Sequence, residues 1–171
     1  MLSLSVERYS TYLIFVDCQK NPARQEELVA GLHLAEIIGA IGTLKNGGNF
    51  VLKCFTFFES DTLCQLYLLA SIFRKLSVYK PATSKEGNSE VYLICEDFLG
   101  MEKSALNVLI ENINHGGTNL FNKKDIPDEF KDQVKKCSRF FMDIQIKVVG
   151  IFVIKQPFLF NRKKISQLYL A

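Results

Sequence analysis

A lysine closes an unbroken apolar run that follows two glycines. Residues 47–54 read Gly-Gly-Asn-Phe-Val-Leu-Lys-Cys, and no other stretch restricts the fold as strongly. Phe50, Val51 and Leu52 have the pattern of a strand buried on both faces of a parallel sheet, and Lys53 interrupts them where such a strand would leave the sheet. A cation there is costly unless its head reaches a crevice or a partner. In open α/β sheets that crevice, beyond the carboxyl ends of the strands, is where ligands bind. A lysine that snorkels at a strand end satisfies the same pattern, so this stretch alone leaves both readings open.

The residues before it complete a βαβ unit. Tyr12-Leu13-Ile14-Phe15-Val16 is a short apolar run with the character of a buried strand, ended by Asp17. Asn21-Pro22 then offers an N-cap with proline at the first helical position, and Arg24, Gln25, Glu26 and Glu27 fill an opening turn. Leu28, Leu32, Ala35, Ile38 and Ile41 recur at helical spacing, so a long helix is expected to lay that face on the sheet until Gly47-Gly48 stops it.

After Lys53, Ser60-Asp61 can cap a second helix, expected to carry a stripe of Leu63, Leu66, Leu69, Ala70 and Phe73, and a strand is expected over residues 76–80. Residues 81–89, Pro-Ala-Thr-Ser-Lys-Glu-Gly-Asn-Ser, form a polar loop rich in turn formers. The next strand opens at Glu90 with Val91-Tyr92-Leu93-Ile94-Cys95. Nine residues without a helix cannot make a crossover to a parallel strand, so this strand runs antiparallel to its predecessor. An antiparallel strand begins at the edge where parallel ones end, which brings Glu90 to the rim that carries Lys53 and Lys80. An ion pair closing the sheet edge and a catalytic pair both fit that convergence. A carboxylate nearby favours a charged lysine and burial favours a neutral one, and spacing does not decide between them.

Composition narrows the class. With 171 residues, 48% of them hydrophobic and 23% charged, the chain suits one α/β or α+β domain with a sizeable core. A net charge of +3 permits a polyanionic partner without requiring one. Cys18, Cys54, Cys64, Cys95 and Cys137 are odd in number, widely spaced and mostly embedded in apolar sequence, with no Cys-x-x-Cys pair. Reduced, intracellular core thiols are therefore expected, rather than disulfides or a metal. No apolar run reaches membrane-spanning length, because Lys147 and Lys155 break the longest late candidate.

Two motifs carry a resemblance: the Gly-Gly-x-Phe-x-x-Lys strand at residues 47–53, and the loop and strand start at residues 80–92, Lys-Pro-x-x-Ser-Lys closing in Glu-x-Tyr. They resemble the C-terminal half of the FtsJ-like ribose 2′-O-methyltransferases. With Asp17-Cys18-Gln19, Asn21-Pro22 and Gln25-Glu26, the likeness narrows to members acting on the second transcribed nucleotide of capped mRNA, and it covers roughly residues 17–144. It implies an α/β fold: the C-terminal half of a Rossmann-like methyltransferase sheet, parallel strands plus one antiparallel strand, helices on both faces and a C-terminal helical extension. The implied division is a partial methyltransferase domain over residues 12–100 and a helical extension over 101–146, with residues 1–11 and 147–171 unrecognised.

The resemblance also implies chemistry. The family joins a Lys-Asp-Lys-Glu tetrad to S-adenosyl-L-methionine as methyl donor and capped mRNA as substrate, without metal or membrane, in the nucleus or cytoplasm. Lys53 matches the second lysine, which takes the 2′-hydroxyl proton, and Glu90 matches the glutamate that positions and tunes it. Lys80, Ser84, Lys85 and Asn88 match the RNA side of the cleft. The departures are equally specific. No Gly-x-x-Gly-Gly loop follows a strand, so the implied donor site is mostly missing, and the family's aspartate should fall near Leu13, where the chain is apolar. Two classes of function are therefore expected: an enzyme of which this chain is an incomplete part, or a binding module that keeps an RNA-facing rim without a donor site.

Beyond residue 100 a helix is expected over residues 101–112, a turn at Asn114-His115-Gly116-Gly117, and a further helix from Pro127-Asp128-Glu129 with Phe130, Val134, Cys137, Phe141 and Ile144 along one face. The basic end, Asn161-Arg162-Lys163-Lys164, has the character of a solvated charge run.

Overall fold

The computed structural model describes residues 9–11, 24–81, 89–117, 120–147 and 158–159. In chain order these form β1 (Tyr9–Thr11), α1 (Gln25–Thr43), β2 (Asn49–Cys54), α2 (Ser60–Ile72), β3 (Phe73–Tyr79), β4 (Val91–Phe98), α3 (Lys103–Asn114), α4 (Asp128–Lys147) and β5 (Phe158–Leu159). The five strands make one sheet in the order β1-β2-β4-β3-β5. The strand expected over residues 12–16 lies outside the described residues, as do Leu13, Asp17 and the Asn21-Pro22 cap.

The antiparallel deduction from the short connection holds. β4 runs antiparallel to β3 on one side and to β2 on the other, so β2 and β3 point the same way with β4 between them. β1 pairs parallel with β2, and β5 pairs antiparallel with β3. Short strands thus occur in both segments that the sequence left unassigned.

Strand β2 is not buried on both faces. Phe50, Leu52 and Cys54 are fully buried, whereas Asn49, Val51 and Lys53 are half-buried, and β4 alternates likewise, with Val91, Leu93 and Cys95 inside. An apolar run of three is too short to distinguish two-sided burial from alternation. The inward set joins Ile37, Ala40 and Ile41 of α1, most of α2, and Phe130, Val134, Cys137 and Phe141 of α4 in one core. Four residues of the expected α4 face, Phe130, Val134, Cys137 and Phe141, are therefore buried as expected.

Helix α1 presents a face rotated from the expected one, of which Ile41 is buried and Leu32 and Ile38 are half-buried. Leu28 is 52% exposed and Ala35 is exposed, while Glu26, Val29, Ala30, His33, Leu34, Ile37, Ala40 and Ile41 are buried. The helix is apolar around much of its circumference, so hydrophobic spacing does not select a face; two polar residues that bond to the sheet end do. After Leu44 caps α1 through Ala40 O, Gly47 takes φ 82° and its N–H donates to Phe98 O at 2.7 Å. That left-handed turn feeds the chain directly into β2 and suits glycine. Helix α2 passes into β3 without a loop, Phe73 turning to extended geometry at the junction.

Cys54, Cys64, Cys95 and Cys137 are buried thiols outside any disulfide, Cys18 lies outside the described residues, and burial raises Cys54, Cys95 and Cys137 above the usual thiol range. Among the described residues no cluster of acids, histidines and cysteines could hold a metal, and no helix is long and apolar enough to cross a membrane.

Candidate active site at the sheet rim

Register brings the rim together. Tyr92 at the start of β4 lies opposite Lys53 of β2 on one side and Tyr79 of β3 on the other. Side chains two apart on a strand share a face, so Glu90, two residues before Tyr92, projects beside Lys53. Glu90 Oε2 lies 3.0 Å from Lys53 Nζ, with side-chain exposures of 17% and 30%. The other carboxylate oxygen accepts a hydrogen bond from the Tyr92 hydroxyl. Lys80 Nζ donates to the Glu90 backbone oxygen at 3.0 Å. One residue thus gathers two lysines and a tyrosine.

The electrostatics follow from these contacts. The hydrogen bond to Glu90, helped by burial, lifts the Tyr92 hydroxyl to about 12, so it keeps its proton and goes on donating. Burial depresses the Lys80 ammonium, and the nearby Glu90 charge opposes that shift. The Lys53 ammonium also lies 5.9 Å from the centroid of the Phe55 ring, within the range of a cation–π contact.

Behind the rim is a polar cluster that sequence reasoning missed. Glu26 is 7% exposed; Oε2 accepts from the Thr56 hydroxyl and from Phe58 N at 3.1 Å, and Oε1 from Glu59 N at 2.8 Å. The first turn of α1 thereby pins the turn that follows Lys53. His33, seven residues on and so on the same side of the helix, is 6% exposed and hydrogen-bonds the Lys53 backbone. The available signal was the pairing of two polar residues, Glu26 and His33, at a spacing of seven. Ser89 Oγ and Gln25 Oε1, 3.5 Å apart, add a further link between α1 and the rim.

His33 makes stability depend on pH. Burial outweighs the opposing pull of Glu26 and of the Lys53 backbone and lowers the imidazole from 6.5 to about 4. Between those values the unfolded chain binds the extra proton, so stability is full above about pH 6.5 and falls as pH drops toward 4. The expected loss is roughly 3 kcal/mol over that window. Urea midpoints from pH 7.5 to 4 should decline in the wild type and flatten in His33→Gln; parallel curves for both would remove His33 as the cause.

Of the residues singled out in the sequence, Lys53, Lys80 and Glu90 meet at the rim. Ser84, Lys85 and Asn88 lie outside the described residues. Beside the rim a cleft of about 110 Å³ is lined by residues including Phe55, Phe58, Lys80, Ser89 and Met142, with no carboxylate among its described lining residues.

The sequence model of the FtsJ-like methyltransferases matches residues 13–98, the segment containing both Lys53 and Glu90. The chain belongs to the FtsJ-like methyltransferase family. It is similar to the cap-specific mRNA (nucleoside-2′-O-)-methyltransferase 2 of Danio rerio, 43% identical over 138 residues, which is 78% of this chain and 19% of the relative. The Mus musculus protein of that name is 42% identical over 138 residues, 78% of this chain and 18% of the relative. The cap-specific mRNA (nucleoside-2′-O-)-methyltransferase 1 of Caenorhabditis elegans is 31% identical over 125 residues, 70% of this chain and 13% of that relative. The chain spans about a fifth of the length of the most similar of these family members.

Proposed function

We propose that this chain forms the proton-accepting, RNA-facing edge of an enzyme that methylates the ribose 2′-hydroxyl of the second nucleotide of capped mRNA. The observation that carries the reading is the Lys53–Glu90 pair, 3.0 Å apart where β2 leaves the sheet and β4 enters it. The names of the full-length relatives support the reaction class. In this reading residues 12–100 are the C-terminal half of a Rossmann-like sheet with helices on both faces, and residues 101–146 are its helical extension. Substrate and cofactor imply an intracellular setting, in the nucleus or cytoplasm.

Lys53 Nζ receives the proton of the 2′-hydroxyl as that oxygen becomes a nucleophile. Glu90 holds the amine from one carboxylate oxygen, and Tyr92 fixes the carboxylate from the other side. Lys80 is placed to meet a neighbouring phosphate, with Ser84, Lys85 and Asn88 assigned to the same RNA-facing loop. General acid–base transfer of this kind contributes about 100- to 10,000-fold to rate. S-adenosyl-L-methionine, the donor implied by the family, supplies an electrophilic methyl group. The cleft beside the rim, of about 110 Å³, is too small to enclose a nucleoside bearing an amino acid, and its described lining residues include no acid for a ribose diol or an ammonium.

No Gly-x-x-Gly-Gly loop follows a strand in this sequence, which favours a second reading, a module that keeps the RNA-facing rim and contributes no methyl transfer. Grafting residues 17–144 into the matching segment of the Danio rerio relative separates the two. Methyl transfer to capped RNA is expected to persist in the graft. A folded graft that binds capped RNA without methylating it would support the inactive module.

A further inference from the structure

Three phenylalanines occur within four residues just beyond Lys53: Phe55, Phe57 and Phe58. Phe57 is buried at 6% and anchors the turn in the core, whereas Phe58 is 65% exposed. A lone exposed apolar residue is ordinary and needs no function. Phe58 is not isolated. It lines the cleft together with Met142, itself 41% exposed, so two of the five large exposed hydrophobics among the described residues meet at one opening.

The turn that displays Phe58 is also held firmly. Glu26 of α1 accepts from Phe58 N, Glu59 N and the Thr56 hydroxyl, and Ser138 of α4 donates to Phe57 O at 3.3 Å. Two helices thus fix the backbone on either side of an aromatic ring that faces outward, so little ordering remains when a flat ligand arrives. Phe55 connects this cleft to the rim, since it lines the cleft while its ring centroid lies 5.9 Å from Lys53 Nζ. Lys80, bonded to the Glu90 backbone, lines the same cleft. At about 110 Å³ the cleft is smaller than the roughly 150 Å³ cavity that encloses a benzene ring, so a flat ring stacks across its open mouth and a whole nucleotide does not enter it.

Resting on the 2′-hydroxyl reading of Lys53, we infer that this cleft is a stacking subsite for a nucleobase of the RNA strand, with Phe58 and Phe55 supplying ring faces and Lys80 meeting the adjoining phosphate. A ribose carries its base within about a ring width of its 2′-hydroxyl, which suits a cleft sharing Phe55 with Lys53. Aromatic stacking tolerates any base because each has a π face. The subsite therefore adds affinity for single-stranded RNA without selecting sequence.

The test titrates the 171-residue chain with short capped RNAs carrying 2-aminopurine at the second nucleotide or at its 3′ neighbour. The wild type is expected to bind and to quench the probe at one of these positions. Phe58→Leu keeps apolar bulk but removes the ring face, and should lose the quench and weaken binding about 5- to 100-fold with an unchanged melting temperature. Phe58→Trp should restore both. Wild-type affinity and quenching in a folded Phe58→Leu chain would overturn the subsite and leave the 2′-hydroxyl reading standing. No binding of any RNA by the wild type would overturn both. A Phe58→Leu effect on self-association, with RNA binding intact, would assign the cleft to a protein interface and overturn the subsite.

Discussion

Lys53→Met, introduced into the graft of residues 17–144, is expected to lower the single-turnover rate of methyl transfer about 100- to 10,000-fold while capped-RNA affinity and melting temperature change little. Methionine retains much of the lysine stem volume and has no proton-accepting nitrogen. The Lys53 side chain is 30% exposed, so its removal opens no closed cavity. Lys53→Arg should fail as well, because a guanidinium keeps its proton at any working pH. Glu90→Gln should be milder and should shift the pH–rate profile, since it leaves the amine but alters the charge beside it and weakens the acceptor that Tyr92 uses. If the pair merely closes the sheet edge, all three variants lose stability and activity falls only with the folded fraction. Rate and melting temperature measured on the same preparations separate these outcomes.

The second large effect is structural and lies at Glu26. Glu26→Ala leaves two backbone N–H groups and the Thr56 hydroxyl without their carboxylate acceptor. Leaving part-buried donors unsatisfied typically destabilises by about 1–3 kcal/mol each, and water reaching the exposed Phe58 and Glu59 recovers part of that. A net loss of about 2–5 kcal/mol is expected, read as a lower urea midpoint at unchanged slope. Glu26→Gln should fall between, since one carbonyl oxygen still accepts while its amide opposes another donor. Stability of Glu26→Ala within about 0.5 kcal/mol of wild type would mean that the turn after Lys53 is held by something else.

The rim was legible in the sequence because chain length constrained it. A nine-residue connection between two strands leaves only an antiparallel arrangement, and that places Glu90, just before β4, at the exit of β2 and beside Lys80. No such constraint acted on α1, where apolar residues occupy several faces, Glu26 bonds a turn some thirty residues away and His33 bonds the backbone of Lys53 in β2. Phe73 illustrates a related ambiguity. It fits the stripe of α2 and the inward face of β3 equally well, and it became the first residue of the strand. Likewise, Tyr92 read as a strand residue closing the Glu-x-Tyr motif, with no role of its own, and its bond to Glu90 emerged only when pairing placed it opposite Lys53.

The most direct measurement maps the methyl group itself. Capped RNAs identical except for a 2′-hydroxyl or a 2′-deoxy sugar at the second nucleotide are incubated with the graft and a labelled donor, and the product is digested to locate the label. Label on the ribose of the second nucleotide, absent from the deoxy RNA and absent with Lys53→Met, is the expected result. Label at another position, or equal labelling of the deoxy RNA, would contradict the assignment of this rim to a ribose 2′-hydroxyl.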